Sequence, residues 1–172
     1  MNSGSKHELP ADSDWEQWVA RHASALLLFA RQQASCEADA QDLVQEAVVE
    51  SWRRQSAGAP PPLGLVYATI RHRAIDLARR DDRRTGREMA AHADGPQCWF
   101  DCGLDERERH VLIHKAMSQL TAIYREVVTL KVWGGLTFAE IAEALEIPAN
   151  TAASRYRYGL IELRKLTKEV FA

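Results

Sequence analysis

The sequence predicts an all-α protein of two small helical domains joined by a linker, the second a helix-turn-helix. Three observations carry that prediction. Apolar residues recur at helical spacing, with no sustained period-two alternation and no Asn-Gly or Asp-Gly hairpin signal. The stretch Thr85–Gly103 holds three glycines and a proline and breaks the periodicity, as a linker does. Beyond it, Leu136–Leu166 reads as a short capped helix, a tight turn containing Pro148 and a longer helix with a basic second half.

Each element has its own signal. Ser13-x-x-Glu16 is a capping box that opens a first helix running to about Ala34. A second spans roughly Ala38–Gln55 and stops at Ser56–Pro62, where three prolines remove amide donors and clash with a continuing helix. A third, about Leu63–Asp82, carries the apolar stripe Val66, Ile70, Ala74, Leu77 and Ala78. After the break, Leu104–Leu120 sets Ile113, Met117 and Leu120 on one face, and Thr121–Trp133 ends at Gly134-Gly135. Thr137-x-x-Glu140 is a second capping box, opening a short helix with Phe138, Ile141, Ala142 and Leu145 on one side. The turn Glu146–Ala149 leads into a last helix, about Asn150–Glu169, with Ala152, Tyr156, Leu160 and Leu163 expected to face the core. The expected domains are thus residues 11–84 and 104–170, with 85–103 between them.

Composition excludes several classes. Apolar residues at 46% and charged residues at 27% describe a folded globular chain. The longest apolar run, Ala25–Ala30, is too short to span a bilayer. Met1–Asp14 lacks a basic start followed by an apolar stretch, so a cytoplasmic location is expected. With three cysteines and no export signal, reduced thiols are expected. No G-x-x-x-x-G-K, G-x-S-x-G or H-E-x-x-H is present, so neither an enzyme nor a cofactor is expected. Cys98 and Cys102 with His110 and His114 mimic a zinc pattern. Their seven-residue separation is shorter than the usual finger loop, and no metal is expected.

Charge is distributed unevenly around a net −2. Asp39, Asp42, Glu46 and Glu50 step by three, four and four along the second helix, with Gln45 beside them and no base interleaved. Like charges at that spacing cost about 0.2–0.5 kcal/mol per pair, so the stripe fits a basic partner, with a solvated face as the competing reading. Between Arg71 and Arg87, seven arginines face three aspartates. Arg71, Arg73, Arg79, Arg80, Arg83 and Arg84 form a strip suited to a phosphate backbone or, more plainly, a solvated helix end paired with Asp81 and Asp82. On the last helix Thr151, Ser154, Arg155 and Tyr158 share a face suited to the major groove, while Arg157, Arg164 and Lys165 could reach phosphates. An ordinary helical hairpin is the competing reading there.

Taken together, these residues resemble the sigma factors of bacterial RNA polymerase, in the compact extracytoplasmic-function group that retains two helical domains. Asp39-Ala-Gln-Asp-Leu-Val-Gln-Glu-Ala resembles the segment that grips the clamp helices of the polymerase largest subunit. Val66-Tyr-Ala-Thr-Ile-Arg-His-Arg-Ala-Ile-Asp-Leu-Ala-Arg-Arg is similar to the segment that reads and melts the −10 element. Tyr124-Arg-Glu-Val-Val-Thr-Leu, Leu136–Leu145 and Asn150-Thr-Ala-Ala-Ser-Arg resemble the −35-binding domain.

The resemblance implies a transcription initiation factor whose partners are core RNA polymerase, promoter DNA and an anti-sigma protein. Asp39, Asp42, Gln45 and Glu46 would contact the polymerase; the arginine strip would lie beside −10 DNA, and Arg155 with its face-mates would enter the −35 groove. Ser56–Pro62 lacks the aromatic residue that many relatives carry between these helices, which leaves base selection at −10 open. Ala153 stands where relatives often have lysine and Tyr158 where they often have arginine. A helix-turn-helix regulator or sigma mimic, binding DNA or an anti-sigma protein without directing polymerase, is the alternative. A zinc- or thiol-sensing protein built on Cys98 and Cys102 is a third.

Overall fold

A computed structural model of the chain describes residues 12–54, 60–85 and 107–170. The described residues form seven helices and no strand: α1 (Asp12–Arg31), α2 (Glu37–Arg53), α3 (Leu63–Thr85), α4 (Arg107–Gln119), α5 (Ala122–Val132), α6 (Phe138–Leu145) and α7 (Ala149–Val170). Helices α1–α3 pack together, as do α4–α7, and the second group sits on the first through α6 against α3 and α5 against α1.

In the first group α2 presents Ala40, Leu43, Ala47 and Ser51 to the core at three- and four-residue steps. These mostly small side chains let α3 approach closely, and the Ser51 and Thr69 hydroxyls meet at 3.4 Å inside that contact. Thr69 also donates to the Leu65 carbonyl at 2.8 Å, so neither buried hydroxyl is left unpaired. Phe29 and Tyr67, both fully buried, meet edge to face with ring centroids 5.3 Å apart. The α1–α2 turn is closed by a two-pronged ion pair, in which Arg31 Nε and Nη2 each donate to Glu37 at 2.8 Å. Cys36 caps α2, its Sγ accepting from the Asp39 amide at 3.4 Å, and places the helix start one residue before the expected Ala38.

The second group is built on the expected capping box. Thr137 Oγ1 accepts from the Glu140 amide at 3.2 Å, and the Thr137 amide donates to Glu140 Oε2 at 2.7 Å. The Thr137 hydroxyl also donates to Glu140 Oε2 at 2.7 Å; that bond, then the backbone one, holds the Glu140 carboxyl below its ordinary range. A depressed carboxyl stabilises the fold fully above its ordinary value of 4.5 and loses that contribution as pH falls through the lowered one. Thr137→Ala is expected to cost about 1 kcal/mol at neutral pH, with the difference from the parent shrinking in acid, measured by thermal melts across pH.

Three expected core positions are corrected. Leu160, expected inside, is 41% exposed, and Gly159 takes the inward place between α5 and α7. A Cβ on Gly159 would lie 2.8 Å from Val128 Cγ2 and 3.3 Å from Tyr124 Cβ, so the two helices cross there at backbone distance. Ile113 is 40% exposed, while Met117 and Leu120 are buried as expected. On α3, Val66, Ile70 and Ala74 are buried, but Ala78 is exposed.

Candidate nucleic-acid interface and acidic docking face

The acidic stripe on α2 is real but divided. Arg73 crosses from α3, donating from Nε and Nη2 to Glu50 Oε2 at 2.9 and 2.7 Å and from Nη1 to Glu46 Oε2 at 3.0 Å. Arg54 holds the other Glu50 oxygen. The hydrogen bond from Arg73 is the main reason the Glu50 carboxyl sits below its usual range and the Arg73 guanidinium above its own. This end of the stripe is neutralised within the chain. Asp42, Gln45 and Glu46 are exposed, and Asp39 is half-buried.

Beside the stripe lies an apolar groove that no local pattern in the sequence predicts. Trp15, Trp18, Val19, Leu26, Val44 and Val48 line it, with Gln45 at its edge. Trp15 stacks on Trp18 at 5.4 Å and meets Trp52 edge-on at 4.8 Å. Val49 and Trp52 are 48% and 38% exposed. An apolar centre with a charged rim is the usual build of a protein-binding face. Val44 and Val48, off the core-facing positions of α2, form a second apolar stripe that could have pointed to one side of it.

On α3 the arginines point different ways. Arg73 turns to α2 rather than outward. Arg79, paired with Asp76 at 3.7 Å, and Arg80 lie on the exposed distal half. Arg83 and Arg84 fall within α3, but their side chains lie outside the described ones. Arg71 turns toward the second group, where its Nε lies 3.6 Å from Glu126 Oε1 on α5.

The helix-turn-helix consists of α6 and α7. The turn between them depends on Glu146, which adopts a left-handed conformation (φ 55°) at the end of α6, its amide donating to the Ala142 and Glu143 carbonyls. Phe138 and Tyr156 pack at 5.7 Å across the motif, and Lys131 ties α5 to the loop by donating to the Leu136 carbonyl at 2.8 Å. Thr151, Ser154 and Arg155 are half-buried along α7, whereas Arg157 and Tyr158 are exposed, the guanidinium lying 5.2 Å from the Tyr158 ring centre. No α-helix among the described residues is long and apolar enough to cross a membrane. Cys98 and Cys102 lie outside the described residues.

Between the groups runs a seam of polar contacts. Gln33 Nε2 donates to Glu126 Oε1 at 3.0 Å, Thr129 Oγ1 donates to Gln32 Oε1 at 3.0 Å, and His72 Nε2 meets Glu146 Oε1 at 2.8 Å. Leu28 of α1 inserts beside Met117, Leu120 and Val128. Two buried nitrogens on this seam, Gln32 Nε2 and Arg71 Nε, lack hydrogen-bond partners among the described residues. The Gln32 orphan costs about 1–3 kcal/mol, whereas Arg71 Nε keeps its longer ion pair with Glu126.

The family model for sigma-70 region 2 matches residues 18–84, and that for sigma-70 region 4 matches residues 110–163. The chain is 32% identical to the ECF RNA polymerase sigma factor SigK of Mycobacterium ulcerans over 133 residues, 72% of this chain and 70% of that protein. It is 26% identical to the ECF RNA polymerase sigma factor SigL of Mycobacterium tuberculosis over 152 residues, covering 87% and 86%. Among solved structures, the fold is similar to the sigma factor RpoE of Bartonella quintana, crystallised with the anti-sigma factor NepR. The TM-score is 0.64 and identity 21%, covering 91% of this chain and 98% of that one. It is also similar to CnrH, in complex with the cytosolic domain of CnrY, with TM-score 0.61 and identity 21%, covering 92% and 90%.

Proposed function

The chain belongs to the extracytoplasmic-function group of bacterial RNA polymerase sigma factors, and from that premise we propose how its faces divide the work. A member of this family binds core polymerase and directs it to promoter DNA. The division proposed runs along the two helical groups: a polymerase-binding and −10-reading domain over residues 11–84, a linker over 85–103 and a −35-binding domain over 104–170.

In the first domain Asp42, Gln45 and Glu46, with Asp39 at the margin, meet a basic surface of the polymerase. Exposed carboxylates facing a positive patch speed encounter and fix orientation. The adjacent Trp15–Val48 groove supplies apolar area that charges alone do not. The observation that carries this assignment is that exposed acid and an apolar groove flank the outer side of α2, joined there by exposed Gln45 and Val49. Arg79 and Arg80, with Arg83 and Arg84 beyond them, track the backbone beside the −10 element. Arg71 and Arg73 join them only if their carboxylate partners let go.

In the second domain the early turns of α7 enter the −35 major groove. Thr151, Ser154, Arg155 and Tyr158 read base edges, and Arg157 meets phosphate. No covalent chemistry is involved; the work is done by binding energy. The location that follows is the cytoplasm, where polymerase and chromosome are. An anti-sigma protein, of the kind crystallised with the Bartonella protein, is a further proposed partner.

Core polymerase supplemented with the purified protein is expected to give discrete transcripts from a subset of a random promoter library. Absence of any promoter-specific transcript overturns the reading. Within that assay, Arg155→Ala is expected to weaken promoter binding by about 1–3 kcal/mol and relax base preference at one −35 position. An equal loss on every −35 sequence would make Arg155 a phosphate contact instead.

A further inference from the structure

We propose that Arg73 limits the affinity of the polymerase-docking face: a guanidinium anchored on Glu50, it competes with the partner's cations for Glu46. The proposal deepens the polymerase-binding reading above and rests on it. Glu46 is exposed and available to a partner, yet it already accepts a hydrogen bond from Arg73 Nη1 at 3.0 Å. Part of its attraction is satisfied within the chain before polymerase arrives.

The anchor keeps the competitor in place. Arg73 Nε and Nη2 donate to Glu50 at 2.9 and 2.7 Å, and Arg54 holds the same carboxylate from its other side. The Glu50 side chain is 25% exposed against 58% for Glu46, so the sheltered acid fixes the guanidinium and the outer acid is contested. A brace between α2 and α3 needs only the Glu50 bonds. The third bond, to Glu46, extends a positive charge onto the docking face.

That face is otherwise acidic. Arg73 shares a notch between α2 and α3 with Asp39, Asp42, Glu46 and Asp76, and with Arg80 further along α3. The carboxylates attract a lysine or arginine of the polymerase, and the guanidinium of Arg73 opposes it. A partner cation that takes Glu46 either shares it with Arg73 or displaces Nη1. After displacement the Glu50 bonds still hold the guanidinium close by. Like charges within about 4–6 Å disfavour one another, so both routes weaken docking.

The test measures core-polymerase affinity without DNA for the full chain as parent, Arg73→Gln, Glu46→Gln and the double variant, each with a thermal melt. Arg73→Gln is expected to bind about fivefold tighter than the parent, the most that an exposed ion pair withholds. That gain is expected to shrink as salt rises, which a purely structural role would not show. In the Glu46→Gln background the same change is expected to alter affinity by no more than about twofold, the additivity of independent sites. Arg73→Met keeps the apolar stem and is expected to give the same two results, which decides the matter if the glutamine variant folds poorly. Variants of Arg73 that bind no tighter than the parent overturn the competition. So does an equal gain with and without Glu46, which would reduce Arg73 to a general effect of net charge. A parent that does not bind core polymerase overturns the polymerase-binding reading instead.

Discussion

Converting Asp42 and Glu46 together to lysine is expected to cut affinity for core polymerase about a hundredfold or more, equivalent to about 2.7 kcal/mol, with the melting temperature nearly unchanged. Both side chains are exposed, so neither contributes core packing. Within the chain the double change breaks the Glu46–Arg73 ion pair, which is 41% exposed on the arginine side and 58% on the glutamate side. Such exposed pairs are worth about 0–1 kcal/mol. Arg73 keeps both hydrogen bonds to Glu50, so α2 and α3 stay joined. Against a basic partner surface the same two changes turn attraction into repulsion, and charge pairs at such interfaces carry about 2–5 kcal/mol or more. Surface-immobilised core polymerase and a parallel thermal melt separate the two effects. A large fall in melting temperature, or polymerase affinity within about threefold of the parent, less than the tenfold that 1.4 kcal/mol represents, would remove the stripe from the docking face.

The second large effect is expected at Gly159. Leucine there has nowhere to go: even its Cβ would sit 2.8 Å from a Val128 methyl, and Val128 is itself buried and stiff about its first torsion. Overpacking of this kind costs about 1–3 kcal/mol. Each kcal/mol lowers the melting temperature of a domain of about 60–100 residues by about 4–8 °C. On the proposed assignment of the −35 contacts to α7, which α5 holds, Gly159→Leu is expected to lose −35-dependent transcription. Gly159→Ala is the informative partner. Its gain in helix propensity, about 1 kcal/mol, offsets a smaller shift of Val128, so its stability should stay close to the parent. If leucine melted no lower than alanine, the close crossing of α5 and α7 would be refuted.

These two sites show what the sequence made legible and what it hid. The acidic stripe is local: four side chains on one helix face, readable from spacing alone. Arg73, which balances half of it, comes from another helix, and no local pattern announces that pairing. Around Gly159 the helical period is legible but its phase is not. Ala152, Tyr156 and Leu163 do turn inward to different degrees, and apolar counting then favours Leu160. A glycine carries no hydropathy signal, yet only a residue without a side chain fits where two backbones cross.

Other gaps have the same origin. The capping box at Thr137 and Glu140 is legible because its partners are three residues apart. The apolar groove joins Trp15 and Trp18 of α1 to Val44 and Val48 of α2, and only packing brings them together. The interdomain seam is built from Gln32, Gln33, Glu126 and Thr129, polar residues that look solvated until their partners more than 90 positions away are known. Long-range polar contacts leave no periodic trace in a sequence, whereas apolar stripes do.

Footprinting of a promoter selected from the random library tests most directly the proposal that DNA contact at both elements depends on attachment to polymerase through α2. Core polymerase with the parent protein should protect the −10 and −35 regions together, while the protein alone, and the Asp42→Lys, Glu46→Lys variant with polymerase, should protect neither. Protection of both regions by the protein without polymerase, or by the charge-reversed variant as strongly as by the parent, would contradict the account.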